Sequence, residues 1–125
     1  MPIRTFARLR VVGRVVFAAL CDKLIDIDEK IEFVPQLATS WAWSADGLTL
    51  TFKLRAGVKF HSGVNGFTPT RDLNADDVIW SFERMWKADH PYAKVSGGAY
   101  DYFNDMGMPD LLEGIAKGGD DYTVV

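Results

Sequence analysis

The most regular alternation of apolar and polar positions lies between Leu48 and Arg55, where Leu48, Leu50, Phe52 and Leu54 interleave with Thr49, Thr51, Lys53 and Arg55. A period of two places the two sets on opposite faces of a strand. Upstream, Trp41 and Trp43 share a face, and Ala45-Asp46-Gly47 separates the two runs. Asp caps its own backbone and Gly accepts positive φ, so the pattern predicts a β-hairpin over Trp41–Arg55. Truncation of Trp41 or Trp43 to Ala is expected to cost about 3–5 kcal/mol if the side chain is buried. Ala56-Gly57 breaks the second strand, and Val58 and Phe60 resume the alternation. A helical period takes over at Asn74, with Val78, Ile79, Phe82, Met85 and Trp86 forming one stripe that ends near Lys87. Asn74 is the N-cap, and Asp76 and Asp77 fall in the first turn, where the helix dipole favours acids. Trp80 lies off the stripe, which predicts a second layer or a partner over it. The stripe itself is expected to pack on the hairpin.

Weaker patterns flank these two elements. Phe17, Leu20 and Leu24, at i, i+3 and i+7, predict an amphipathic helix with a buried face that includes Cys21. Ile31, Phe33 and Pro35 predict a short edge strand ended by proline, and Gln36 to Ala38 one helical turn. After the main helix, residues 89–99 are irregular and lead into a short aromatic helix, and Pro109 to Glu113 gives another turn. Gly114–Lys117 and Tyr122–Val125 bracket Gly118-Gly119-Asp120-Asp121, a second hairpin whose last strand has no residue beyond it.

Composition narrows the function. A chain of 125 residues supports at most one core, and 48% hydrophobic with 25% charged residues is ordinary for a globular protein. A net charge of −3 argues against a nucleic-acid partner. Residues 1–14 carry Arg4, Arg8, Arg10 and Arg14 without an acid, followed by the apolar run Val15–Cys21, which together imitate a targeting signal. The run is short and Leu20 stands where a small residue is needed, so an amphipathic helix is favoured and no convincing signal peptide is read.

The search for chemistry is mostly negative. Asp26-Ile27-Asp28-Glu29 fails as a calcium loop, because Ile31 and Leu37 replace the required Gly and Glu, and it is read as a solvated turn. His61 and His90 are 29 positions apart in loop-like sequence, and a dyad of His61 with Asp46 or Asp72 lacks any nucleophile motif. Ser96-Gly97-Gly98 has no lysine to make it a phosphate nest. No catalytic residue, metal site or cofactor is assigned. Taken alone, the residues describe a binding module rather than an enzyme.

Longer motifs carry a resemblance. Val34-Pro-Gln-Leu-Ala-Thr-Ser-Trp41 and Asp46-Gly-Leu-Thr-Leu-Thr-Phe-Lys-Leu-Arg-Ala-Gly-Val-Lys-Phe-His-Ser-Gly63 look like the signature of the family 5 extracellular solute-binding proteins, receptors of bacterial ABC importers. Asn74-Ala-Asp-Asp-Val-Ile-Trp-Ser-Phe-Glu-Arg84 is similar to the family's next block. Thr68 to Asn74 and Pro91 to Phe103 resemble the dipeptide-binding branch. The resemblance spans Val16 to Val125 and leaves residues 1–14 unmatched. It implies an α/β (α+β) piece of a periplasmic binding protein, mostly antiparallel sheet with packed helices, namely the start of one lobe and most of a small extra domain. Family members are several times longer, so the resemblance also implies a truncated gene product or a cut piece. The implied partners are short peptides and a membrane permease, and the implied compartment is the periplasm. Cys21, Asp22, Lys23 and Leu24 stand where relatives offer backbone to a peptide ligand, and Tyr100 and Tyr102 resemble an aromatic loop beside it. Against this stands a free-standing interaction domain that kept the fold and lost the ligand. Surface left bare by a missing lobe, Trp80 foremost, predicts self-association.

Overall fold

Two units make up the chain, Met1–Leu37 and Ala38–Val125, and the computed structural model describes residues 15–125. The basic segment 1–14, with its targeting reading, lies outside the described residues.

In the first unit residues 15–20 form a helix, α1, whose last turn closes with the Cys21 amide donating to the Phe17 carbonyl at 2.8 Å. The expected buried face is absent. Phe17 is 67% and Leu20 62% exposed, Cys21 is exposed, and Leu24 alone of the stripe is half-buried. Helical spacing makes an apolar face, but among the described residues nothing in this unit buries it. The segment taken for a solvated turn supplies a strand, β1 (Ile25–Ile27), antiparallel to β2 (Phe33–Pro35) with Ile25 opposite Pro35 and Ile27 opposite Phe33. Asp28 clamps the turn between them, its Oδ1 accepting from the amides of Lys30 at 2.8 Å and Glu32 at 2.9 Å. Ile31 sits in this turn at φ 66°, so the edge strand starts at Phe33 rather than Ile31. Residues 36–38 are not helical. The Gln36 and Leu37 amides donate to the carbonyls of Leu24 and Lys23 at 3.3 and 2.9 Å, which extends the β1–β2 ribbon.

The second unit is built on the predicted hairpin. Strands β3 (Ala38–Trp43) and β4 (Leu50–Leu54) pair antiparallel, with Trp43 opposite Leu50 and Trp41 opposite Phe52. Gly47 takes φ 72°, and Asp46 Oδ1 accepts from the Ser44 hydroxyl at 2.5 Å and from the Leu48 amide at 3.1 Å. A bulge between Ala38 and Ser40 realigns the strand so that Ala38 meets Leu54. The extra residue, Thr39, donates its hydroxyl to the Lys53 carbonyl at 3.1 Å. Burial is graded along the shared face. Ala38 and Leu54 are buried, Trp41, Phe52 and Leu50 are half-buried, and Trp43 at the turn end is 63% exposed. Trp43 is therefore not a core residue. Leu48, 84% exposed, belongs to the turn and not to the strand.

A third strand, β5 (Thr123–Val124), pairs with β4, Phe52 opposite Val124 and Lys53 opposite Thr123. On its other side the amide and carbonyl of Val125 exchange hydrogen bonds with Ala116 at 2.9 and 2.7 Å, the second hairpin expected from the sequence. Helix α2 (Ala75–Trp86) starts with a capping box. The Asp76 amide donates to the Asn74 side chain at 3.0 Å, and the Asn74 amide to Asp77 Oδ2 at 2.9 Å. The helix meets the sheet at β5, with the Ala75 amide donating to the Asp121 carbonyl at 2.8 Å. Val78 of its stripe is buried, as is Ala75 in the first turn. Short helices α3 (Asp101–Asp105) and α4 (Met108–Leu111) follow, and Phe103 of α3 meets Phe82 of α2 edge-on at 6.4 Å. The core is Ala38, Leu54, Ala75, Val78, Ala93, Phe103 and Val124.

Candidate functional site

The six residues singled out from the sequence fall into two groups, Cys21–Leu24 in the first unit and Tyr100 with Tyr102 in the second. In the first group Gln36 does most of the positioning. Its Oε1 accepts from the Lys23 amide at 2.8 Å, and its Nε2 donates to Asp26 Oδ2 at 3.0 Å. Lys23 Nζ donates to Asp26 Oδ1 at 2.7 Å, and that bond, with one from the Ile27 amide, holds the Asp26 carboxyl below its ordinary pKa. Both backbone groups of Lys23 are thus engaged, the amide by Gln36 and the carbonyl by Leu37. Asp22 makes no hydrogen bond among the described residues.

In the second group Tyr100 is half-buried and directs its hydroxyl at the Ala93 carbonyl, 3.0 Å away, with the Tyr92 carbonyl at 3.4 Å. Tyr102, on α3, is 67% exposed. The sequence reading missed the residue that joins this loop to α2. Arg84 donates through Nε to the Tyr92 carbonyl at 3.3 Å, and its Cζ lies 5.9 Å from the Trp80 ring centroid and 5.8 Å from that of Tyr100. Trp80 also meets the rings of His90 and Tyr92 at 5.1 and 5.4 Å. Its partner is therefore its own chain. The signal was present in sequence, since Trp80 and Arg84 stand at i and i+4 on one helix face.

The loop after the hairpin holds an open pocket of about 310 Å³ walled by Lys59, Phe60, Thr68, Pro69, Arg71 and Asp72. Its charges are matched internally. Lys59 pairs with Asp72 at 2.5 Å, and Arg71 holds Asp77 through two bonds of 2.6 and 2.9 Å. Partial burial pushes the Asp77 carboxyl up, but the Arg71 bonds and the Asn74 amide outweigh it and keep it below its ordinary value. Asp46 is committed to the hairpin turn and Asp72 to Lys59. Among the described residues no group of three or more His, Cys, Asp or Glu converges as metal ligands do. No helix there is long and apolar enough to cross a membrane.

The helices, the antiparallel sheet and their order are those of a solute-binding protein. Residues 32–125 match the model of "Bacterial extracellular solute-binding proteins, family 5 Middle", and the chain belongs to this family. It is 54% identical over 93 residues to the Dipeptide-binding protein of Escherichia coli K12, covering 74% of this chain and 17% of that protein. It is likewise 54% identical over 90 residues to Heme-binding protein A of Haemophilus influenzae, covering 72% and 16%. Among solved structures, the dipeptide binding protein of Pseudoalteromonas sp. SM9913 in complex with Met-Leu superposes with a TM-score of 0.76 at 45% identity, over 82% of this chain and 20% of that one. The chain spans about a sixth of the length of the curated relatives it matches.

Proposed function

We propose that this chain is part of the substrate-binding component of a bacterial ABC importer for dipeptides or oligopeptides, acting in the periplasm beside a membrane permease and carrying out no catalysis. The observation that carries the reading is the likeness to a receptor solved with Met-Leu bound, joined to 54% identity with a dipeptide-binding protein. Within that function Cys21, Asp22, Lys23 and Leu24 offer backbone to an extended peptide. In the second unit, taken by itself, Tyr100 and Tyr102 are the aromatic candidates for ligand contact.

By itself the chain contributes a fraction of such a site. A dipeptide zwitterion left half in water gains little, since exposed ion pairs are worth about 0–1 kcal/mol, and affinity in two-lobed receptors comes from burial on all sides. The isolated chain is expected to bind dipeptides weakly or not at all. It is also expected to self-associate through exposed apolar side chains such as Ile31, Trp43 and Leu48. Size-exclusion chromatography followed by calorimetric titration with Met-Leu checks both points, and a monodisperse monomer with micromolar affinity would refute them. A haem-binding reading has its own support in the Haemophilus relative. A chimera of the Escherichia coli relative carrying residues 32–125 of this chain separates the two. Dipeptide binding is the expected result, whereas a folded chimera that binds haemin and no dipeptide would replace the peptide reading.

A further inference from the structure

The second unit contains two arginines on or beside α2 whose guanidinium groups are used differently. Arg71 is spent on its own surroundings, its two Nη atoms donating to the two oxygens of Asp77 at 2.6 and 2.9 Å and Nη1 also to the Asp72 carbonyl at 2.9 Å. Arg84 is held instead by neutral groups: the Tyr92 carbonyl on Nε and the rings of Trp80 and Tyr100. Among the described residues its Nη1 and Nη2 have no acceptor, although four of the five guanidinium N–H bonds reside there. The neighbouring acid on the helix, Glu83, is already paired with Lys87 at 2.5 Å. A guanidinium fork matches a carboxylate in plane and spacing, and one whose rotamer is already held loses little entropy when it binds.

The surroundings specify the rest of the ligand. Trp80 and Tyr92 remain 43% and 53% exposed and lie 5.4 Å apart, centroid to centroid, so apolar surface adjoins the open donors. The loop that carries Tyr92 is held from both sides. His90 Nδ1 accepts from the Tyr92 amide at 3.2 Å, and the Tyr100 hydroxyl donates to the Ala93 carbonyl.

We propose that Arg84, with Trp80 and Tyr92 beside it, is a binding site for a small carboxylate attached to an apolar or aromatic group. The site lies within the second unit and shares Tyr100 with the aromatic residues proposed above for a peptide, but its test needs no peptide binding. The test uses the full chain, labelled with 15N, and follows the Trp80 indole N–H and the Arg84 Nε–H by NMR during titration. N-acetyl-phenylalaninate is expected to move both signals in the millimolar range, acetate to do so more weakly, and N-acetyl-phenylalaninamide to bind about tenfold less tightly, because it lacks the charge-assisted bonds. Arg84→Gln is expected to abolish the preference for carboxylate over amide, and Arg84→Lys to keep a part of it. Equal binding of acid and amide, or an unchanged preference in Arg84→Gln, would overturn the proposal. Should Arg84→Gln fail to fold, the acid–amide comparison in the parent chain decides by itself. None of these probes is a peptide, so their failure leaves the peptide reading standing, and failure of the chimera to bind dipeptide leaves this site standing.

Discussion

Residues 15–37 and residues 38–125 are both organised around antiparallel strand pairs, yet they are held by different forces. In the first unit no described residue is buried. Its order comes from local polar clamps, Asp28 in the turn and Gln36 across the ribbon. In the second, a third strand and α2 close over Leu54, Val78, Phe103 and Val124. Two strands fix a register, but a layer of side chains is needed to make that register stable. The contrast yields predictions that rank by size.

The largest effect is expected at Phe103. Phe103→Ala should lose about 3–5 kcal/mol in urea unfolding, while Phe33→Ala, at a side chain 62% exposed in the first unit, should lose less than about 1 kcal/mol. Comparable losses would mean that the first unit has a core after all. Next comes Gly118, where an added Cβ would stand 2.4 Å from Thr123 Cγ2 and 2.7 Å from its Cβ. Gly118→Ala should therefore displace β5 and cost about 1–3 kcal/mol by overpacking. A melting temperature equal to that of the parent would show that the second hairpin tolerates rearrangement. Asn74→Ala, which removes one half of the capping box, should cost about 1 kcal/mol, read by circular dichroism on thermal unfolding.

The smallest effect is set by pH and reaches both units. Asp26 in the first, and Asp46, Asp77 and Asp120 in the second, all have carboxyls held below the ordinary 3.8. A depressed folded-state pKa means that the unfolded chain takes up protons first. The stabilisation is therefore complete above 3.8 and fades as pH falls through the folded-state values. Asp26→Asn should flatten the acid response of β1–β2 amide exchange and leave that of β4–β5 unchanged. A parallel change in both would mean that the two units open together.

Local chemistry was legible in the sequence wherever one segment determined its own structure. The Asp46-Gly47 turn, the Asn74 cap and the return of Tyr122–Val125 toward Gly114–Lys117 each depend on residues close in the chain. Coverage was not legible. Period two correctly put Trp41 with Trp43, and Leu50 with Phe52 and Leu54, each set on one face, but it also included Leu48, and the pattern does not record how far a covering layer extends, so Trp43 lies beyond it. The same holds for Phe17 and Leu20. The bulge at Thr39 and strand β1 were hidden because each is set by a partner strand, not by its own residues. As for the site, Tyr100 was visible as an aromatic and the Trp80–Arg84 pair as an i, i+4 spacing, but the tie of Arg84 to the Tyr92 loop was not, because it rests on a carbonyl eight residues away.

The position of β5 also orders the folding process in time. Lys53 and Thr123, joined by a 2.6 Å bond, are 70 residues apart, whereas the β3–β4 turn spans only a few. Loop-closure entropy grows as (3/2)RT ln n, so a tenfold longer loop costs about 2 kcal/mol more to close. The β3–β4 hairpin can therefore form and dissolve many times before β5 arrives to hold it. Val124→Ala is accordingly expected to speed unfolding and leave the folding rate nearly untouched, with a φ-value near zero. Thr123 and Val124, two residues bonded on both sides, thus act as the latch that turns a transient ribbon into a sheet.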